Sequence, residues 1–195
     1  MHLRVDPMDR KAMMNKLNSE YARLPSRKDW LLSGNFVPGD GPVDADVMII
    51  GQAPGRNEDI QLKPFIGTSG KFLDRLIGIA GLERKNVYIC SVVQFFPPEN
   101  RIPNDDEVEL CRGFLFRQIE IVDPRVIILV GSLSCKTVLG IDGIAKMHGK
   151  VMNKNGRTYL LSMHPAAAVR IRTKMPIMEE DFRKFKSVIA KSIRA

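Results

Sequence analysis

Short apolar runs, separated by stretches whose apolar residues recur at helical spacing, dominate the chain. Val47-Met48-Ile49-Ile50, Val87 to Val93, Arg125 to Val130 and Tyr159 to Met163 have the length and continuity of strands covered on both faces. Between them Ser69 to Ala80 shows helical periodicity. So does about Asp105 to Val122, opened by Asn104 with Glu107 three residues on, a capping box. Ser132 to Leu139 and about Met178 to Ile193 read as two further helices. Residues 8 to 31 place Met13, Met14, Leu17 and Tyr21 on a helical face, and a Pro-, Gly- and Asp-rich connection follows from Ser33 to Asp46. Strands alternating with helices predict an α/β fold: a three-layer α/β/α sandwich around a central, mainly parallel four-stranded sheet with right-handed crossovers. Residues 141 to 158, with Gly143, Gly149 and Gly156, read as a loop with a short hairpin.

With 195 residues, 44% of them hydrophobic, the chain is read as one domain in which residues 1–35 form an N-terminal helical extension. No apolar run reaches the roughly 18 residues that span a bilayer, and the charged start lacks the apolar stretch of a secretory signal. A cytoplasmic, nucleoid-associated monomer is expected, with no membrane partner. The net charge of +8 points to a polyanion. The cations concentrate late, in Arg170, Arg172, Lys174, Arg183, Lys184, Lys186, Lys191 and Arg194. Cys90, Cys111 and Cys135 are odd in number and form no C-x-x-C pair, so they read as free, mostly buried thiols of a reducing compartment.

In a parallel sheet every strand exit lies on one edge, where open α/β folds bind ligands. The exits here are Gln52 to Asp59, Ser91 to Arg101, Gly131-Ser132 and His164-Pro165. A Walker loop is excluded because Gly70-Lys71 is followed by Phe72, and no G-x-G-x-x-G follows Ile50.

Four ordered motifs remain: Gly51-Gln52-Ala53-Pro54-Gly55-x-x-Glu58-Asp59, Pro64-Phe65-Ile66-Gly67-x-x-Gly70, Pro97-Pro98-Glu99-Asn100-Arg101-Ile102-Pro103 and His164-Pro165-Ala166-x-x-x-Arg170. Together, over about Val37 to Arg170, they resemble the uracil-DNA glycosylase superfamily, most of all its fourth, thermostable iron-sulfur family. The resemblance implies an enzyme that extrudes a base from DNA and breaks its bond to the sugar. It places Phe65 under the flipped base and makes His164 a hydrogen-bond donor to the base oxygen. Glu58, with Asp59, would position water or stabilise the sugar cation, while the backbone of Gln52 and Ala53 approaches base and sugar. Phosphate contacts would come from Pro97, Asn100, Arg101, Ser132 and Arg170, and the segment Ala166 to Val169, with Ala168 and Val169, would form a small apolar wedge.

Three departures from the family pattern matter. Gln52 stands where the family has Glu, and Ser91 where it has the Asn that reads the base edge. Of the four cluster cysteines only Cys111 matches, with Phe95 at the place of the third ligand. No iron-sulfur cluster is therefore expected, and apolar packing around Phe95 takes over its stapling role. Gln94 to Arg101 contains no His, so covalent capture of DNA is not expected. The expected function is a monofunctional glycosylase of base-excision repair acting on DNA containing uracil, or another base such as hypoxanthine. A sliding clamp or other repair protein is a candidate partner for the N-terminal residues. Two alternatives stay open at this point: a non-catalytic DNA-binding member of the fold, and an α/β enzyme acting on a free nucleoside or nucleotide.

Overall fold

The computed structural model describes residues 6–24 and 34–194. Helix α1 runs from Pro7 to Ala22, capped by Asp6, whose side chain accepts from the Met8 amide. The helix ends at Ala22, with Arg23 as its C-cap, short of the residue 31 that the spacing predicts, and residues 25–33 lie outside the described residues. Strands β1 (Val47–Gly51), β2 (Val87–Ser91) and β3 (Val126–Val130) are buried at every position. Such continuous burial requires the apolar runs seen in the sequence. Between β1 and β2 come α2 (Arg56–Gln61) and α3 (Thr68–Ile79), and α4 (Asp105–Val122) joins β2 to β3. Then follow α5 (Ser132–Leu139), α6 (Ile144–Met147), β4 (Val151–Lys154), β5 (Arg157–Ser162), α7 (Pro165–Arg170) and α8 (Lys174–Arg194).

The sheet has five strands rather than four, in the order β2-β1-β3-β5-β4. All pairings are parallel except β4 with β5, which closes a hairpin. Its turn residues Asn155 and Gly156 both have positive φ, the geometry that lets a two-residue turn follow the strand twist. The extra strand carries no apolar run because it is a largely exposed edge.

Two cores flank the sheet. On one face, Phe72, Leu73, Leu76 and Ile77 of α3 pack with Phe182, Phe185 and Ile189 of α8. On the other, Met14, Leu17 and Tyr21 of α1 meet Cys111, Leu115 and Ile119 of α4. Tyr21 stacks on Phe114 with ring centroids 4.3 Å apart, and Arg117 pairs with Glu20 at 2.7 Å, so α1 is fastened to α4.

Candidate active site

The carboxyl ends of β1, β2 and β5 open onto a cleft of about 280 Å³. It sits where the strand order reverses between β1 and β3, the switch point of an open α/β sheet. The fold brings Gln52, Ala53, Glu58, Phe65, Ser91, Asn100, Arg101, His164 and Arg170 to its walls. Ser132 lines an adjoining cavity with Gln52 and His164, and Val169 lines a groove with Arg56 and Arg170.

Two predicted DNA contacts are corrected. Ala168 is fully buried in the α3–α8 core, because α7 turns that side of its short helix inward. Pro97 is also buried and lines none of these cavities, with the exposed part of its loop beginning at Pro98.

His164 caps α7, and its Nδ1 accepts from the Ala166 amide at 3.2 Å. An accepting Nδ1 places the proton of the neutral ring on Nε2. That Nε2 is buried and has no partner among the described residues. Burial, then the charge of Arg170, pushes the imidazole pKa down to about 4. His164 is therefore a neutral donor without an acceptor among the described residues. Gly131, at φ +105°, makes room for it: a Cβ there would lie 3.1 Å from the His164 Cβ.

Phe65 holds a left-handed backbone, φ 52°, with its ring centroid 5.7 Å from that of His164. Its ring lies against Gly51, where a Cβ would come within 2.5 Å of the ring. An aromatic face and an imidazole donor thus share one side of the cleft.

Glu58 is 8% exposed and accepts from the amides of Gly55, at 3.1 Å, and Gly67, at 3.3 Å. It ties the first motif to the second, and each oxygen keeps a lone pair for the cleft. Asp59 instead accepts from the Asn35 amide at 2.6 Å and is absent from the cleft lining. Ser91 lies at the end of β2, 4% exposed, and offers one hydroxyl. Arg101 forms a bidentate pair with Glu107, at 2.7 and 2.9 Å, so the charge predicted for a phosphate is already matched within the protein. Arg170 forms no ion pair among the described residues and stands at the rim.

Sequence reasoning singled out neither Ser69 in the lining nor Arg84 behind it, and gave Pro64 and Ile102, which stand inside the quoted motifs, no role of their own. The lining residues sit beside recognised motif positions, a signal that was available. Arg84 offered none.

The residues present do not fit a four-iron cluster. The chain has three cysteines, all buried, and no group of three or more His, Cys, Asp or Glu able to hold a metal gathers among the described residues. Burial pushes the Cys111 and Cys135 thiols up to about 11 and raises Cys90 further, opposing the thiolate that ligation needs. Phe95 packs instead with Tyr21 and Phe36, at centroid distances of 5.4 and 5.6 Å.

An open α/β sheet whose switch-point cleft carries an aromatic face, a neutral imidazole donor and a carboxylate is equipped to hold a flat, polar ring. Comparison with known proteins agrees. The family model of the Uracil DNA glycosylase superfamily matches residues 38–190, and the chain belongs to this superfamily. It is 39% identical over 187 residues to the Type-4 uracil-DNA glycosylase of Saccharolobus solfataricus, covering 91% of this chain and 87% of that one. Identity is 36% over 164 residues with the Type-4 enzyme of Thermotoga maritima, at 80% and 84% coverage. It is 32% over 157 residues with the Type-5 uracil-DNA glycosylase of Pyrobaculum aerophilum, at 71% and 69%.

Proposed function

We propose that this chain is a monofunctional glycosylase that flips uracil out of DNA and hydrolyses its bond to the sugar, as a step of base-excision repair. The observation that carries the reading is the unpartnered, neutral Nε2–H of His164 beside the Phe65 ring. A flipped uracil lies on Phe65, a face that contributes about 1–3 kcal/mol per base. As the C1′–N1 bond breaks, its electrons move onto the base, and the hydrogen bond from His164 strengthens with the charge on the base oxygen. Because the imidazole is neutral, it stabilises that anion without first surrendering a proton. The carboxylate of Glu58 lies within the same cleft to face the cationic sugar, and water supplies the oxygen that forms the new bond to C1′.

Arg170 and the cations of α8 support a DNA partner, since phosphate contacts dominate affinity. The reading includes no iron-sulfur cluster, a single folded unit and a monomeric enzyme. Ser91 supports a second base specificity: one short, rotatable hydroxyl discriminates less sharply between base edges than a planar amide. Hypoxanthine therefore belongs beside uracil in the test.

The test is release of base from labelled oligonucleotides carrying uracil opposite G, uracil opposite A, single-stranded uracil or hypoxanthine. Release by the wild type that is lost in His164→Ala supports the reading. Tight binding without release from any of them overturns it in favour of a non-catalytic DNA-binding protein.

A further inference from the structure

The segment from Pro97 to Glu107 contributes Asn100, Arg101 and Ile102 to the cleft lining, yet it holds four carboxylates, Glu99, Asp105, Asp106 and Glu107, against one cation, Arg101. On a chain of net charge +8, this part of the rim is acidic. Glu107 is matched by Arg101, and Asp105 by Lys136 at 3.6 Å. The Glu99 side chain is exposed and forms no hydrogen bond or ion pair among the described residues. Behind the dominant Glu107 hydrogen bond, its charge adds to the field that raises the Arg101 pKa, which places it close to the lining. The Glu99 backbone is left-handed, at φ 56° and ψ 18°, and so is that of Asn100, at φ 57°. Asn tolerates this region, whereas Glu is strained there. Two amides close the bend: Asn100 donates to the Pro97 carbonyl oxygen at 3.1 Å, and Arg101 to that of Pro98 at 3.2 Å. The turn thus holds a bare carboxylate in water directly beside residues of the cleft.

Strained backbone persists where its surroundings over-determine it, and it clusters at functional sites. We propose, resting on the glycosylase reading above, that Glu99 limits the affinity of the cleft for DNA. As the strand carrying the flipped base leaves the cleft, its phosphates meet this carboxylate. The repulsion offsets part of the attraction of Arg56 and Arg170, which line the neighbouring groove and form no ion pair among the described residues. Attraction to phosphate is the same for damaged and undamaged DNA. Weakening it shortens residence on undamaged duplex and on the abasic product alike, and leaves the base seated in the cleft to decide where the enzyme stays.

The test measures dissociation constants for an abasic-site duplex and an undamaged duplex, at low and high salt, for wild type, Glu99→Gln, Glu99→Lys and Glu99→Gly. Glu99→Gln, which keeps the size of the side chain, is expected to bind both duplexes about fivefold more tightly at low salt, and Glu99→Lys more tightly still. The gain should shrink as salt screens the charge. Tighter binding does not arise from a misfolded variant, so the direction of the effect guards the test. Unchanged affinity in Glu99→Gln at low salt overturns the proposal, as does a gain that high salt leaves intact. Glu99→Gly also relieves the backbone. Tightening in that variant without any in Glu99→Gln makes the conformation of the loop the limit rather than its charge, and overturns the proposal as well. A wild type that binds neither duplex and releases no uracil overturns the glycosylase reading itself, a result distinct from these.

Discussion

Arg84 holds Phe65 in place from behind. Its guanidinium donates to the carbonyl oxygens of Pro64 at 2.7 Å and Phe65 at 3.0 Å, and is itself oriented by Asp74 at 2.7 Å. A non-glycine residue at positive φ costs on the order of 1–3 kcal/mol and persists only where its surroundings over-determine it. This clamp is one such determinant, and the residue it holds lines the cleft.

Arg84→Ala is accordingly expected to lower kcat/KM by about tenfold, the loss of roughly 1–1.5 kcal/mol of hydrogen bonding. Arg84→Lys, which can still reach one carbonyl, should recover part of it. A double-mutant cycle with Phe65→Ala separates positioning from general stability: the two effects should be strongly non-additive. Strict additivity would remove the link.

The neutral state of His164 sets a pH dependence. With its pKa held at about 4, the rate should stay level from neutral pH down to about 5, with no inflection near the usual imidazole value. His164→Ala should lower the rate by about 10²-fold, as loss of one donor to a developing oxyanion does. Stability follows from the same depressed pKa. The unfolded chain takes up the proton as pH falls through about 6.5, whereas the folded chain resists until about 4. The contribution of His164 to stability is thus intact above about 6.5 and lost progressively between there and about 4. Urea midpoints across that window should fall less in His164→Gln than in the wild type.

Glu58→Gln tests the brace between the two loops. A carboxylate accepts from both Gly55 and Gly67, whereas an amide offers one acceptor and sets its NH2 against the other N–H. Unfolding in urea should show a loss of about 1–3 kcal/mol, the cost of an unsatisfied buried donor, together with slower base release. Wild-type stability in this variant would show that the brace is dispensable.

Around Cys111 the aromatic packing makes a different claim. Purified protein should contain no stoichiometric iron by elemental analysis, and chelator should leave its melting temperature unchanged. Tyr21→Ala, removing a fully buried ring that contacts Phe36, Phe95 and Phe114, should cost about 3–5 kcal/mol. Several irons per chain would contradict this account.

Local sequence determined what local physics controls. The buried runs became β1, β2, β3 and β5, and Asn104 and Glu107 cap α4 reciprocally, at 2.9 and 2.7 Å, because a capping box needs only residues three apart. Parallel strands put every exit on one edge, so Gln52, Ser91 and His164 were legible there before any coordinates, whereas Phe65, between α2 and α3, came only from the motif resemblance. Partners distant in the chain were not. Arg84 finds Phe65 across 19 positions, and α7 is too short for periodicity to reveal that Ala168 faces inward. Arg101 spends its charge on a carboxylate that burial makes the stronger claimant, and edge strand β4 has no apolar run to announce it. Each of these depends on which surfaces meet in three dimensions, and only the tertiary structure decides that.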